Sequence, residues 1–446
     1  MKTTVLPGIR GAFASAVATV LLSATTLMAQ AIPPDPGCSV GQAWTEQKSP
    51  WSDGLGDLNV AYGDTNVTYW EQWLNSGSPG AASSATIHGQ FPLSRYMAVG
   101  IYDANEDELY SIHDSNIVPD SGTNNPFVSA GSQGTYTITI AYSNAPPNPA
   151  ANTLYAGSGV TEVKVIYRVG YPNTSGNLTG GATNPVLPTI TVFGAVMTTC
   201  AARPVITPTT STVWGRLDQS NFAGVKPSQG KPSGLSASPT WQIVTSASGG
   251  DATGDNADAD TDYMSAYLSR DYLTEFSPLL VVRFMAPTFP NTQNGVPVYT
   301  TGEQVRYWSL CTNEPLTTAV ARCVTDAQAA TQNGYATFVI SDPAYQPSAS
   351  VLAQWGATWL AWGALQYSTD ILYNENYAQV TSDPGGAFYY NMLMYRQTLA
   401  SSSFKQSIAS VSTLPAARQQ ASMGAYYPTA GYCSAAAFQL YGTGCF

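Results

Sequence analysis

Seven short motifs occur twice along this chain in one order, and that repetition constrains the fold more than any other feature of the sequence. The first half reads Asp64-Thr-Asn-Val-Thr-Tyr69-Trp70, Phe91-Pro92, Arg95-Tyr96-Met97, Val118-Pro119-Asp120, Tyr136 to Ile140, Asn152 to Gly157 and Val165-Ile-Tyr-Arg-Val169. The second half answers with Asp260-Thr-Asp-Tyr263, Phe289-Pro290, Arg306-Tyr307-Trp308, Cys323-Val-Thr-Asp326, Ala336 to Ile340, Thr358 to Gly363 and Met394-Tyr-Arg-Gln397. Each match is short, so the preserved order carries the argument, and it predicts a tandem duplication. The expected organisation is a first module over 32–201, a Pro, Thr, Ser and Gly-rich connecting segment over 202–248, and a second module over 249–446 with a helical C-terminal part.

Within each copy the segments are short, rich in Val, Ile, Thr, Tyr and Phe, and bounded by Gly, Pro, Asn and Asp, which is the pattern of strands between turns. Tyr136 to Ile140 and Glu162 to Val169 alternate polar with apolar residues, so one face of each is expected on a core. The predicted fold is mainly β: two tandem antiparallel β-sandwich modules, jelly-roll-like, with a few short helices. Thr240 to Thr245 is a candidate strand inside the connecting segment. The helical candidates are Asp262 to Phe276, Phe388 to Leu399 leading into Phe404 to Val411, and Pro415 to Met423.

The N-terminus begins with Lys2 and Arg10, continues through an uncharged apolar stretch from Ala12 to Met28, and ends at Ala29-Gln30-Ala31. These are the three regions of a secretory signal peptide over 1–31, with cleavage expected after Ala31 and a secreted or periplasmic location. No later stretch is long and apolar enough to cross a bilayer as a helix, so no integral membrane segment is expected in the mature chain. The formal charge of −11 becomes about −13 without Lys2 and Arg10, which argues against nucleic acid as a partner. Six cysteines, Cys38, Cys200, Cys311, Cys323, Cys433 and Cys445, all follow the cleavage point, an even count suited to three disulfides. The expected pairs are Cys311 with Cys323, Cys433 with Cys445 and Cys38 with Cys200. Sequence alone allows other connectivities.

Tyr62-Gly-Asp64, Phe91-Pro-Leu-Ser-Arg-Tyr-Met97, Ile117-Val-Pro-Asp120, Asn125-Pro-Phe127 and Asn152-Thr-Leu-Tyr155 resemble the first half of a group of uncharacterised exported bacterial proteins. Ala286-Pro-Thr-Phe-Pro290 and Val305-Arg-Tyr-Trp-Ser-Leu-Cys-Thr-Asn313 resemble its second half. Both halves are more distantly similar to sheet-rich domains of unknown function in bacterial envelope proteins. The resemblance implies an exported, sheet-rich protein and carries no assigned activity.

Arginine beside tyrosine recurs at matched places: Arg95-Tyr96 and Tyr167-Arg168 in the first copy, Arg306-Tyr307 and Tyr395-Arg396 in the second. Two accounts are open. Each guanidinium pins strands through a buried acid such as Asp64, Asp103, Asp120, Asp262 or Asp326. Alternatively Arg95, Tyr96, Asp120, Arg168, Arg306, Tyr307, Asp326 and Arg396 line a site for a small acidic ligand or a glycan. Asp251, Asp255, Asp258, Asp260 and Asp262 lie in a Gly, Ala and Asn background that admits calcium on Asp258, Asp260 and Asp262, or else a solvated acidic loop. The tryptophans Trp70, Trp73, Trp355, Trp359 and Trp362, with Tyr389 and Tyr390, are candidates for a sugar platform or for core. No Gly-x-Ser-x-Gly is present, and the two histidines, His88 and His113, are flanked by no nucleophile motif. The expectation is an exported binding or envelope-associated protein recognising a glycan or small acidic ligand. The alternative is an extracellular carbohydrate-active enzyme using paired carboxylates.

Overall fold

Alternation along the chain builds the first sandwich. Thr135 to Ala141 places Tyr136, Ile138 and Ile140 on one face and threonines on the other, and only the first set is buried. The computed structural model describes residues 45–48, 62–76, 83–103, 107–173, 187–194, 196–199, 239–244, 258–269, 272–274, 276–298, 302–313, 320–362, 372–373, 379–380 and 390–446. The predicted signal peptide, Cys38, Cys200, Asp251, Asp255 and Tyr389 lie outside the described residues.

The first half contains β1 (Thr45–Lys48), β2 (Val67–Ser76), β3 (Ser84–Gln90), β4 (Ser94–Tyr102), β5 (Glu108–His113), β6 (Thr135–Ala141), β7 (Thr153–Tyr155), β8 (Glu162–Pro172), β9 (Thr189–Phe193) and β10 (Val196–Thr199). One sheet runs β1-β2-β8-β4-β5, with β10 also on β2, and the other runs β7-β6-β3-β9. Between them lies one apolar core that draws Ile87, Ile138 and Ile140 from the second sheet and Val99, Val163 and Val165 from the first.

The second half repeats the connectivity. Its strands are β11 (Gln242–Val244), β12 (Thr261–Ser269), β13 (Leu279–Met285), β14 (Tyr307–Asn313), β15 (Val320–Thr325), β16 (Thr331–Gln332), β17 (Tyr335–Ser341), β18 (Ala357–Ala361), β19 (Leu372–Tyr373), β20 (Gln379–Val380), β21 (Tyr390–Thr398) and β22 (Thr429–Cys433). One sheet runs β11-β12-β21-β14-β15, and the facing one runs β16-β17-β13-β22 with β18 parallel to β17, as β7 is parallel to β6. A separate core holds Leu280, Phe284, Trp308, Phe338, Leu393 and Tyr395.

The register repeats as well. Ala98 on β4 faces His113 and Arg168, while Ser309 on β14 faces Thr325 and Arg396. Tyr69 on β2 faces Arg168, and Tyr263 on β12 faces Arg396. Arg168 and Arg396 therefore occupy the same place in the two halves.

Two expected helices are strands instead. Met264, Ala266 and Leu268 in β12 are fully buried at a spacing of two, and the four-residue step from Met264 to Leu268 satisfies a helical pattern equally well. In β21 both faces are buried, so Asn391 to Tyr395 shows no alternation to betray a strand. The helices at Ile408–Val411 and Ala416–Met423 fall where the sequence places them. Gln242–Val244 is a strand of the second-half sheet. The disulfides Cys311–Cys323 and Cys433–Cys445 are formed.

Candidate functional site

The arginines at the starts of the two equivalent interior strands β4 and β14 reach into each other's half. Arg95, the second residue of β4, donates from Nη1 to Asp326 at 3.0 Å and from Nε to Gln293 at 2.8 Å, with its guanidinium 4.3 Å from the Phe289 ring centre. Arg306, immediately before β14, donates from Nη1 to Asp114 at 2.5 Å, with its guanidinium 5.6 Å from the Phe127 ring centre. All four charged side chains are 0% exposed. Each aspartate also binds its own half, because Asp114 accepts the Met97 N–H at 2.9 Å and Asp326 accepts the Trp308 N–H at 3.1 Å. One carboxylate thus fixes a local strand end and receives a foreign guanidinium.

The neighbouring tyrosines make a second exchange. Tyr307 donates to Asp64 at 2.8 Å, and Tyr96 donates to Asp260 at 2.8 Å and to Asp258 at 3.1 Å. Asp64 and Asp258 are set by identical turns: each accepts the N–H two residues on, from Asn66 at 2.8 Å and Asp260 at 3.1 Å, just before β2 and β12 begin. The structural match of Asp64 is therefore Asp258, two residues from the match that the sequence offers. Thr292 ties the halves further by donating its hydroxyl to the carbonyls of Ser94 and Arg95.

The two joints share this frame but are completed differently. At the Tyr96 joint, His113 Nδ1 is 3.0 Å from Asp260, Glu108 accepts the Ala259 N–H at 3.0 Å, and Arg168 donates to Tyr102 at 2.7 Å. At the Tyr307 joint, Asn66 stands where the other has Asp260, and the Cys311–Cys323 disulfide stands where Gly100 and Ser111 face each other. Gly100 has a reason to lack a side chain, since a Cβ there would lie 3.3 Å from Arg168 Nη1 and 3.0 Å from the Tyr102 ring. Arg396 contacts Cys311 Sγ and also donates to the carbonyls of Tyr62 and Gly63.

Burial governs the electrostatics. It pushes Asp258 up to about 6 and Asp326 up to about 7, against the pull of Arg168 and Arg95 respectively. Burial opposes charge on His113 and Asp260 too, but their mutual hydrogen bond prevails, raising the imidazole and holding the Asp260 carboxyl below its ordinary value. Burial also holds Tyr96 and Tyr307 well above the usual phenol range.

A pH dependence follows. The raised carboxyls of Asp258 and Asp326 contribute stability that is complete below about 4 and is lost as pH rises through about 6 and 7, and raised His113 loses its contribution in the same direction. Asp260 works the other way, losing its contribution in acid. The melting temperature is expected to fall by on the order of 5 °C between pH 5 and pH 8 in scanning calorimetry, with a shallower slope in Asp326→Asn. A flat or rising profile would contradict the assignment.

Not every candidate residue joins the seam. Asp120 lies apart, 3.5 Å from His88 on β3. The acid that receives Arg306 is Asp114, which sequence matching passed over, although Asp114 follows Arg95 by nineteen residues much as Asp326 follows Arg306 by twenty. Asp258 and Asp260 accept hydrogen bonds from Tyr96, Thr261 and backbone N–H groups, and half-buried Asp262 sits within β12 opposite Gln397. Trp70 and Trp362 are core residues, and half-buried Trp359 donates its ring N–H to Ser341 at 3.0 Å.

No family model matches the chain, and no curated protein matches it. Among solved structures it is similar to the VPA0106 protein from Vibrio parahaemolyticus, at 12% identity over 84% of this chain and 92% of that one, with a TM-score of 0.40. Procruciferin, an 11S globulin from Brassica napus, compares at 8% identity over 82% of this chain and 88% of that one, with a TM-score of 0.17.

Proposed function

We propose that this is an exported, envelope-associated or extracellular protein of two duplicated β-sandwich modules, acting as a binding or scaffold component for a glycan or small acidic ligand. In this reading Arg95, Tyr96, Arg306, Tyr307, Asp114 and Asp326 clasp the modules together, leaving recognition to other surfaces. The observation that carries it is the reciprocal burial of Arg95 on Asp326 and Arg306 on Asp114, which commits both guanidiniums to the protein itself. Export is supported by the signal-like N-terminus and by two disulfides, which suit an oxidising compartment.

A glycan and carboxylate array probed with the secreted chain, with and without calcium, tests the reading. Binding that survives Tyr96→Phe and Tyr307→Phe is the expected result, together with a mature N-terminus at Ile32 by mass spectrometry. Loss of binding in folded Tyr→Phe variants would instead assign the seam to the ligand. The enzyme reading draws on one observation, the divergence of adjacent Asp258 and Asp260 in acidity. Glycan cleavage abolished by Asp258→Asn would move the function there.

A further inference from the structure

The two joints use one register but different closures, and the disulfide is the part that the fold does not require. Cys311 and Cys323 oppose each other directly on β14 and β15. On β4 and β5 the equivalent residues, Gly100 and Ser111, are held by the hydrogen-bonded ladder alone. The ladder pairs β14 with β15 on both sides of the covalent bond, from Ser309 opposite Thr325 to Asn313 opposite Val320.

Both sulfurs are engaged by the joint between the halves. Arg396 Nη1 lies 2.6 Å from Cys311 Sγ and 4.0 Å from Cys323 Sγ, while its Nη2 holds the carbonyls of Tyr62 and Gly63 from the first half. The Thr65 N–H points at Cys323 Sγ from 3.3 Å, and the Cys323 N–H donates back to Thr65 Oγ1 at 2.8 Å. The turn before β2 is thus seated on the disulfide, and both cysteines are buried beneath it.

We propose that Cys311–Cys323 is a thiol-sensitive latch, opened by a dithiol reductant and coupled to release of residues 62–66 from the second half. The reductant's thiolate attacks Cys323 Sγ and forms a mixed disulfide, and the electron pair of the broken bond stays on Cys311 Sγ. The adjacent Arg396 guanidinium stabilises that leaving thiolate. The reductant's second thiolate then attacks its own sulfur in the mixed disulfide, releasing Cys323 as a thiolate. Two electrons have passed to the protein, the reductant is left as a disulfide, and the two protons it surrendered go to the cysteines or to solvent. Because Thr65 covers Cys323, the turn must lift before attack. Because Arg396 favours the thiolate, the opened form is also favoured at equilibrium.

The test uses the full secreted chain, equilibrated in dithiothreitol buffers of graded reduced-to-oxidised ratio, then alkylated and mapped by mass spectrometry. Cys433–Cys445, which lies within the second half, is the internal reference. Cys311–Cys323 is expected to be half reduced at a ratio about tenfold lower than the reference, with proteolysis near residues 62–66 rising in parallel. Arg396→Gln should remove that difference, and Arg396→Lys should keep part of it. Equal or reversed midpoints in the unaltered chain would overturn the latch whether or not the variants fold, as would reduction that leaves residues 62–66 protected.

Discussion

Arg306→Ala is expected to destabilise the protein by about 3 to 5 kcal/mol, because it leaves the Asp114 carboxylate buried without its cation. The loss should reach both halves, since Asp114 also holds the Met97 N–H near the start of β4. Arg95→Ala should cost less at neutral pH, because burial already raises the Asp326 carboxyl to about 7 and it takes up a proton once its cation is gone. Urea unfolding measures the effect, and the double variant Arg306→Met with Asp114→Leu is the informative control. An apolar pair of similar volume should recover part of the stability, because it removes the penalty of the orphaned charge while leaving the Met97 N–H without its acceptor. A single-variant cost below about 1 kcal/mol would mean that water reaches the seam and that the pair behaves as a surface ion pair.

Trp308→Ala is expected to cost about 3 to 5 kcal/mol and to weaken the core and the clasp together. The ring is fully buried, with centroids 5.3 Å from Phe284, 6.3 Å from Tyr395 and 6.5 Å from Phe338. Its Nε1 donates to the Pro287 carbonyl at 3.0 Å, and its backbone N–H donates to Asp326. Trp308→Phe separates the contributions: it keeps most of the apolar contact and loses the Pro287 bond, for an expected cost of about 1 to 3 kcal/mol. Chemical denaturation read by near-ultraviolet circular dichroism follows both variants. A Phe variant as damaged as the Ala variant would place the weight on the hydrogen bond.

The sheet-rich character was legible because its signal is local. Alternation at Tyr136 to Ile140 and the matched Arg-Tyr pairs are properties of a few consecutive residues. The helical expectation at Asp262 to Phe276 failed because Met264 and Leu268 satisfy two periods at once, and burial on both sides of β21 erased the alternation that would have separated them. Of the matched arginines, Arg95 meets one of the expected acids, Asp326, whereas Arg306 meets Asp114, and Arg168 and Arg396 donate to the Tyr102 hydroxyl and to backbone carbonyls. Their direction was not legible: Arg95 and Asp326 are 231 residues apart and Arg306 and Asp114 are 192 apart, and no local pattern says which half supplies the acid. The Val-Pro-Asp120 match to Asp326 lies six residues beyond Asp114, the acid that takes the equivalent role. The spacing from the arginine was the better guide.

The crossed pairing of Arg95 with Asp326 and Arg306 with Asp114 has the form of an isologous contact, in which residue i meets j and j meets i across a two-fold axis. Each half carries both an arginine and an aspartate, so each supplies the complement of what the other needs. Because both halves lie in one chain, the two ends of the contact need not match, and here one end carries a histidine and the other a pair of sulfurs.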